Sequence, residues 1–336
     1  MKQQYWRVVY TIISVVGILN YICVQVFRNY ASDPKFGIQP ASWYDFLDCI
    51  MYAPAYGLLR YIFESLSRDL LLRSLKINDP NNFEIKKSKV MKQAWSTFYY
   101  GTMSLVAFWW FADTDNLPTC YLGRAECNKL ATSRKPVTPQ LRFYFMMSMT
   151  HHAYGFFLFL IQSFQENIPE YNEFYLHHLI TVFMISMSYL FSFFSVGATV
   201  LLVSEVSDFV LNGSKLLRDV FGKKIEMFTT SVFAILVVVW CYARVFVMIF
   251  CVLKGLLYTI YVAFVDDYSY FEWPSNHFLT LPTYLFCVQV KTFLIFLLCL
   301  LNLWWTYLLL SIMINRVFKK DTSYAIHSHG EKSKTR

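Results

Sequence analysis

Residues 170–215 read EYNEFYLHHLITVFMISMSYLFSFFSVGATVLLVSEVSDFVLNGSK, and this stretch decides both the fold class and the place of the candidate site. It contains two apolar runs that are long enough to enter a lipid bilayer as helices. His177 and His178 stand at the head of the first run, and Glu205 and Asp208 lie inside the second. Ionisable groups at membrane depth cost about 2.5–3.5 kcal/mol each, so their presence there indicates a functional site.

The polar residues of both runs recur at helical spacing. In the first run one helix face carries imidazole and hydroxyl groups, from His178, Thr181, Ile185, Ser188 and Ser192. His177 points about 100° away from that face. In the second run one face carries Ser204, Glu205, Asp208, Asn212 and Lys215. Because only a break at Gly197 separates the two runs, we expect the two polar stripes to face each other.

The whole chain of 336 residues has the composition of a membrane protein. Of its residues 56% are hydrophobic and only 15% are charged, whereas soluble domains carry about 25% charged residues. The net charge of +8 comes from basic residues in short segments between apolar runs, which indicates positive-inside topology rather than nucleic-acid binding. We therefore predict an all-α polytopic membrane protein with membrane lipids around it and no nucleic-acid partner.

Seven apolar runs have the length of membrane spans. The predicted spans are residues 8–27, 95–111, 141–164, 174–193, 194–212, 227–253 and 283–314. Polar residues interrupt residues 43–63, which are predicted to form an interfacial helix instead. With the C-terminal tail inside, the basic segments 66–92 and 215–224 fall on the same side as the tail, and the acidic segment before the last span falls on the other.

These residues resemble the motif of the TLC-domain membrane proteins, and specifically of their ceramide synthase branch. The motif runs from acidic residues to His-His and then through Thr, Ser-Tyr, Gly and Ser-Asp to a closing Lys. The matching residues are Glu170, Glu173, His177, His178, Thr181, Ser188, Tyr189, Gly197, Ser207, Asp208 and Lys215. The chain departs from the pattern at the family's second His-Asp, where Ser204 and Glu205 stand.

The resemblance implies a particular organisation. Residues 1–30 would form an anchor helix, 31–88 an amphipathic and basic connecting region, 89–320 a bundle of six membrane helices, and 321–336 a basic polar tail. It also implies a place in the endoplasmic reticulum, with a mitochondrial inner-membrane complex as the alternative. The implied reaction joins the acyl group of a fatty acyl-CoA to the amine of a sphingoid base, without a metal or a bound cofactor.

N-acyl transfer needs a base for the amine proton and a stabilising group for the oxyanion. His177 and His178 are the candidate base or acyl carrier. Glu205 and Asp208 are predicted to replace the missing His-Asp, with a carboxylate either orienting His178 or buried at a raised pKa. Substrate contacts are predicted at Thr181, Ser188, Tyr189, Ser204, Lys215 and Arg244. Arg244 is also expected to pair with an acidic residue or a lipid headgroup.

A second interpretation assigns these polar residues a structural role, because hydroxyls and carboxylates also connect helices within membranes. The chain would then be a catalytically inactive TLC-domain protein that binds lipid or serves as a subunit of a larger membrane complex. A further pair, His151 and His152, is predicted to form a hydrogen-bonded polar patch rather than a metal site, since neighbouring side chains on a helix diverge by about 100°.

Overall fold

The computed structural model describes residues 43–74, 80–111, 137–166, 172–191, 193–221, 226–265 and 281–318, and nearly all of them are helical. A short 3₁₀ helix, Trp43–Phe46, leads into the first long helix. The helices are α1 (Leu47–Ser74), α2 (Pro80–Phe111), α3 (Pro139–Glu166), α4 (Asn172–Leu190), α5 (Phe194–Phe221), α6 (Glu226–Trp240), a π-helical segment (Cys241–Leu253), α7 (Lys254–Val265) and α8 (Leu281–Phe318).

The all-α class is confirmed, and the chain is a helical membrane protein. Three stretches of the described residues are long and apolar enough to cross a bilayer: Phe194–Val220, Thr230–Tyr261 and Phe286–Asn315. A shorter apolar helix covers His177–Leu190. The predicted anchor span at 8–27 and the polar tail at 321–336 lie outside the described residues.

The helices continue further than the apolar runs that predicted them. Most of the basic segment 66–92 is helical, because α1 extends to Ser74 and α2 already begins at Pro80. At the far end of α5, Asp219 contacts Lys89 at 3.2 Å and accepts a hydrogen bond from Gln93. Polar pairs of this kind stabilise helix ends that hydrophobicity alone does not predict.

Among the described residues, the core consists of two clusters that share α4 and α5. One cluster joins these two helices to the π-helical segment and α8, and contains buried residues such as Met184 and Val247. The other joins them to α1, α2 and α3, and contains Trp95 and Tyr144. Since α4 and α5 contribute to both clusters, they lie between the two groups of helices, and the candidate site forms around them.

Gly197 allows α3, α4 and α5 to approach closely where α5 begins. A Cβ atom at this position would lie 2.7 Å from the Cβ of Ser188 and 2.8 Å from the Cζ of Phe145. Both distances are shorter than van der Waals contact, so only glycine fits this crossing.

Candidate functional site

A narrow cavity lies between α3, α4 and α5, with α2 and α8 contributing to its walls. About 30 Å³ of it can be occupied by a water-sized molecule, which is room for one or two waters. The lining residues are Tyr100, Phe145, His152, His177, Thr181, Met184, Ile185, Ser188, Gly197, Val200, Leu201, Ser204, Glu205, Asp208 and Leu298. The two polar stripes predicted from the sequence therefore do meet at one place in the fold.

The lining face of α4 begins one residue earlier than predicted. His177, Thr181 and Ser188 contribute to the cavity wall, whereas His178 does not. The His178 ring packs toward α3 instead, where its Cε1 would lie 3.4 Å from a Cβ built on Gly155. The reason is geometric. Steps of four, three and four from His177 lead to Thr181, Met184 and Ser188, which all line the cavity. These steps fit the 3.6-residue helical period as well as the predicted steps from His178 do.

Glu205 is buried and bonded to α3. The Tyr144 hydroxyl donates to its Oε2 at 2.8 Å, and the Ser148 hydroxyl donates to its Oε1 at 3.1 Å. Each oxygen of this carboxylate thus accepts a hydrogen bond from a hydroxyl of α3, and the orientation of His178 by a carboxylate stays a prediction. A buried carboxylate requires such donors, and two hydroxyls supply them.

Asp208 pairs with Arg244 of the π-helical segment. The Arg244 Nη2 lies 2.8 Å from Oδ1 of Asp208, which confirms the predicted pairing of Arg244 with an acidic residue. The same guanidinium donates from Nε to the Ser207 hydroxyl at 2.7 Å and lies 4.9 Å from the Trp240 ring centroid. Its Nη1 is buried and has no hydrogen-bond partner among the described residues.

Four imidazole rings form a continuous row from α3 to α4. The ring centroids are 5.3 Å apart for His151 and His152, 5.7 Å for His152 and His178, and 5.6 Å for His178 and His177. The row ends at Trp305, whose ring lies 5.1 Å from that of His177. Within the described part of the chain, the buried Nδ1 atoms of His152 and His177 accept or donate no hydrogen bond.

His151 is fully hydrogen-bonded, as its predicted role in a polar patch requires. Its Nδ1 lies 2.7 Å from the Tyr56 hydroxyl and its Nε2 lies 3.0 Å from the Tyr100 hydroxyl. With both ring nitrogens occupied, this imidazole has no position open to a metal ion. The described residues contain no group of three or more His, Cys, Asp or Glu side chains that could hold a metal.

Three predicted substrate contacts are not part of the cavity wall: Arg244, which pairs with Asp208 as described above, Tyr189 and Lys215. Tyr189 donates to Asp45 Oδ2 at 2.7 Å and accepts from Arg142 Nε at 3.2 Å, which ties the end of α4 to α3 and to the 3₁₀ helix. Lys215 is exposed two turns beyond Asp208 on α5. The cavity wall includes none of these three side chains.

Lys291 of α8 is the charged residue that the sequence analysis missed. Its side chain is fully buried, and its Nζ donates to the Ser188 hydroxyl at 2.8 Å and lies 4.5 Å from the Phe193 ring centroid. None of the described carboxylates lies within 4.0 Å of it. A single lysine inside the apolar run 283–314 was the available signal, because an intramembrane lysine marks a functional region as a histidine does.

Comparison with known proteins places this architecture in a family. A TLC domain matches residues 89–311, which is most of the chain. Ceramide synthase hyl-1 of Caenorhabditis elegans is 27% identical over 180 residues, and sphingosine N-acyltransferase lag1 of Schizosaccharomyces pombe is 26% identical over 170. ASC1-like protein 1 of Oryza sativa subsp. japonica is 20% identical over 299 residues.

The chain belongs to the TLC-domain family. Within that family, its relatives place it in the ceramide synthase branch. The matched segments cover different shares of the two proteins in each comparison. The match with the worm protein covers 45% of that protein and 53% of this chain. The match with the fission yeast protein covers 40% of that protein and 48% of this chain. The rice protein matches over 90% of its own length and 85% of this chain.

Proposed function

We propose that this protein is a fatty acyl-CoA-dependent N-acyltransferase of sphingoid bases and that the cavity is its active site. The supporting observation is the row of four imidazoles that reaches the cavity at His152 and His177, since Glu205 and Asp208 line the same cavity. Imidazole is the side chain best suited to move protons near neutral pH. Its placement within apolar helices keeps the reaction away from water, which would otherwise hydrolyse the thioester.

The reaction needs one proton acceptor and one stabilising group. The amine nitrogen of the base attacks the thioester carbonyl carbon, the C–N bond forms, and the C–S bond breaks to release the CoA thiolate. His177 takes the amine proton and passes it to the departing thiolate, so that the imidazole returns to its neutral form. The Nδ1 of His177, which has no partner among the described residues, is available for this step.

The neighbouring polar groups organise the site. Asp208 neutralises the buried guanidinium of Arg244, and Glu205 fixes the hydroxyls of Tyr144 and Ser148. Thr181, Ser188 and Ser204 line the cavity. The Thr181 hydroxyl donates to the His177 carbonyl, so its oxygen can still accept a hydrogen bond from the polar headgroup of a sphingoid base. His178 completes the imidazole row behind His177.

The substrates must widen the cavity before they react. A volume of about 30 Å³ is far below the roughly 300–1,000 Å³ of sites that enclose ligands of this size. Entry of an acyl chain therefore requires helices around the cavity to move apart. The exposed side of α4 is apolar, since Leu179 and Phe183 are 44% and 49% exposed, and it offers the acyl chain a route from the lipid.

We propose that the chain crosses the membrane of the endoplasmic reticulum seven times. An N-terminal anchor forms the first crossing, and the six helical spans of the TLC region follow it. The basic segments at 66–92 and 215–224 then face the cytosol together with the tail, in accord with the positive-inside rule.

The direct test is N-acylation of sphinganine by the purified protein with a panel of acyl-CoAs. We expect turnover by the wild type and a loss of at least about 100-fold in kcat for His177→Ala, since general base catalysis contributes about 10²–10⁴-fold. Thr259→Ala is the control, because that hydroxyl is buried and, among the described residues, bonds only to the carbonyl of Gly255 in its own helix. An inactive wild type, or a His177→Ala variant as active as the wild type, would contradict the proposal.

A lipid-binding or complex-forming role without catalysis is the second candidate. It is favoured by the hydrogen bonds that already occupy Glu205 and Asp208, and by the narrowness of the cavity. In that case the purified protein has no turnover with any acyl-CoA, and a lipid or membrane protein co-purifies with it in a fixed ratio.

A further inference from the structure

A chain of hydrogen bonds runs from the outer helices to the cavity. The Trp95 Nε1 donates to the Tyr56 hydroxyl at 2.8 Å. The Tyr56 hydroxyl lies 2.7 Å from Nδ1 of His151, and Nε2 of the same imidazole lies 3.0 Å from the Tyr100 hydroxyl. Tyr100 lines the cavity, so the chain links α1, α2 and α3 and ends at the site.

The direction of this chain follows from the donors available. The indole of Trp95 can only donate, so the oxygen of Tyr56 accepts its hydrogen bond. If Tyr56 then donates to Nδ1, the other nitrogen of His151 carries the proton and donates to the oxygen of Tyr100. The hydroxyl hydrogen of Tyr100 then has no acceptor among the four residues of this hydrogen-bond series, and it is available to a molecule in the cavity.

The reverse direction is less favourable. If His151 donated from Nδ1 and accepted from Tyr100, the hydroxyl hydrogen of Tyr56 would have no acceptor. Tyr56 is only 2% exposed, and within the described part of the chain its hydrogen bonds are the two given above. A buried donor without an acceptor destabilises the structure, because its lost hydrogen bond to water is not replaced. The forward direction avoids this cost, because it leaves the one unused donor on the residue that faces a cavity.

We propose that Tyr100 donates a hydrogen bond to the thioester carbonyl oxygen and stabilises the oxyanion formed during N-acyl transfer, with Tyr56 and His151 as its positioning residues. This inference rests on the proposed function. The proton of Tyr100 stays on the tyrosine throughout. The carbonyl oxygen gains charge as the amine attacks, and loses it when the C–S bond breaks.

The position of Tyr100 fits this role. Its side chain lines the same small cavity as His177, so one carbonyl group there can contact both, with the base on the amine side and the donor on the oxygen. Donors that are fixed before the reaction stabilise a developing charge best, because they need no reorganisation. The oxygen of Tyr100 is fixed in this way by its bond to His151.

The test compares Tyr100→Phe and Tyr56→Phe with Tyr99→Phe in the acyl-transfer assay, with kcat and KM measured separately. Tyr99 is the matched control, since its hydroxyl donates to the Met147 carbonyl at 3.2 Å and phenylalanine keeps its ring. We expect Tyr100→Phe to lower kcat by about 100-fold at nearly constant KM, as removal of an oxyanion donor does. Tyr56→Phe should lower kcat by a smaller factor, and Tyr99→Phe should leave it unchanged.

Three results would overturn the proposal and can be told apart. If the wild type is active and the Tyr100→Phe variant is equally active, Tyr100 has no role in catalysis, but the proposed N-acyl transfer is still supported. Equal losses in the Tyr99 and Tyr100 variants show that the aromatic cluster, and not the hydroxyl of Tyr100, supports activity. A wild type without turnover overturns the proposed function and this inference together.

Discussion

At the scale of single residues, Lys291 and Ser188 form the most consequential pair outside the imidazole row. The amino group is fully buried, and the Ser188 hydroxyl is its hydrogen-bond acceptor among the described residues. We expect Ser188→Ala to lower the free energy of unfolding by about 1–3 kcal/mol, since a buried donor left without a partner costs that much. The measurement is denaturant unfolding of the detergent-solubilised protein.

The double variant separates this pairing from a general loss of packing. With Lys291→Met added to Ser188→Ala, no buried amino group is left without a partner, and most of the lost stability should return. Ser214→Ala serves as the control, because that hydroxyl bonds to the Leu211 carbonyl of its own helix. A double variant that is less stable than Ser188→Ala would show that Lys291 contributes through other contacts.

Spacing along one helix predicted several lining residues, but not the partners that other helices supply. The 3.6-residue period was sufficient to group Thr181 and Ser188 on α4, and Ser204 and Asp208 on α5. It could not predict that Tyr144 binds Glu205, because that hydrogen bond depends on how α3 is placed against α5.

Among the elements, the crossing of α4 and α5 depends on Gly197. A methyl group there would overlap both Ser188 and Phe145. We expect Gly197→Ala to destabilise the protein by about 1–3 kcal/mol, the usual effect of overpacking a core, and to lower acyl-transfer activity because the cavity lies at this crossing. Thermal unfolding and the acyl-transfer assay measure the two effects.

Gly57→Ala is the matched control for that substitution. Gly57 lies inside α1, and a Cβ there would meet nothing within 4 Å. Because alanine favours a helix by about 0.8–1.0 kcal/mol over glycine, this variant should be slightly more stable than the wild type. Equal effects of the two substitutions would contradict the close approach at Gly197.

Helix existence was predictable from the sequence, but helix length and helix type were not. Each predicted span from residue 95 onward lies largely within a helix, because apolar length decides this at membrane depth. The π-helical segment Cys241–Leu253 left no signal in the apolar pattern, although it carries Arg244 toward Asp208. Such segments often accompany functional sites, as they re-aim a side chain within a continuous helix.

For the whole molecule, the surface agrees with a lipid environment. Large apolar side chains are exposed on helices throughout the described residues, and Trp109 and Phe250 are 87% and 56% exposed. The charged groups of the site lie inside the bundle instead. This inside-out distribution is typical of proteins whose solvent is lipid, where packing and hydrogen bonds hold the helices together.

The proposed seven crossings predict which connections face the lumen of the endoplasmic reticulum. A glycosylation sequon carried on a flexible insert should be modified when placed within residues 266–280 and remain unmodified when placed within 222–225. The native Asn212, which lies inside α5 and donates to the Asp208 carbonyl at 2.8 Å, should also remain unmodified. Gel mobility before and after glycosidase treatment measures each case, with an insert on the C-terminal tail as a second cytosolic control. The stretch between the two positions comprises α6, the π-helical segment and α7. It crosses the membrane once only if one insert is modified and the other is not. Modification at 222–225, alone or together with modification at 266–280, would therefore contradict the topology.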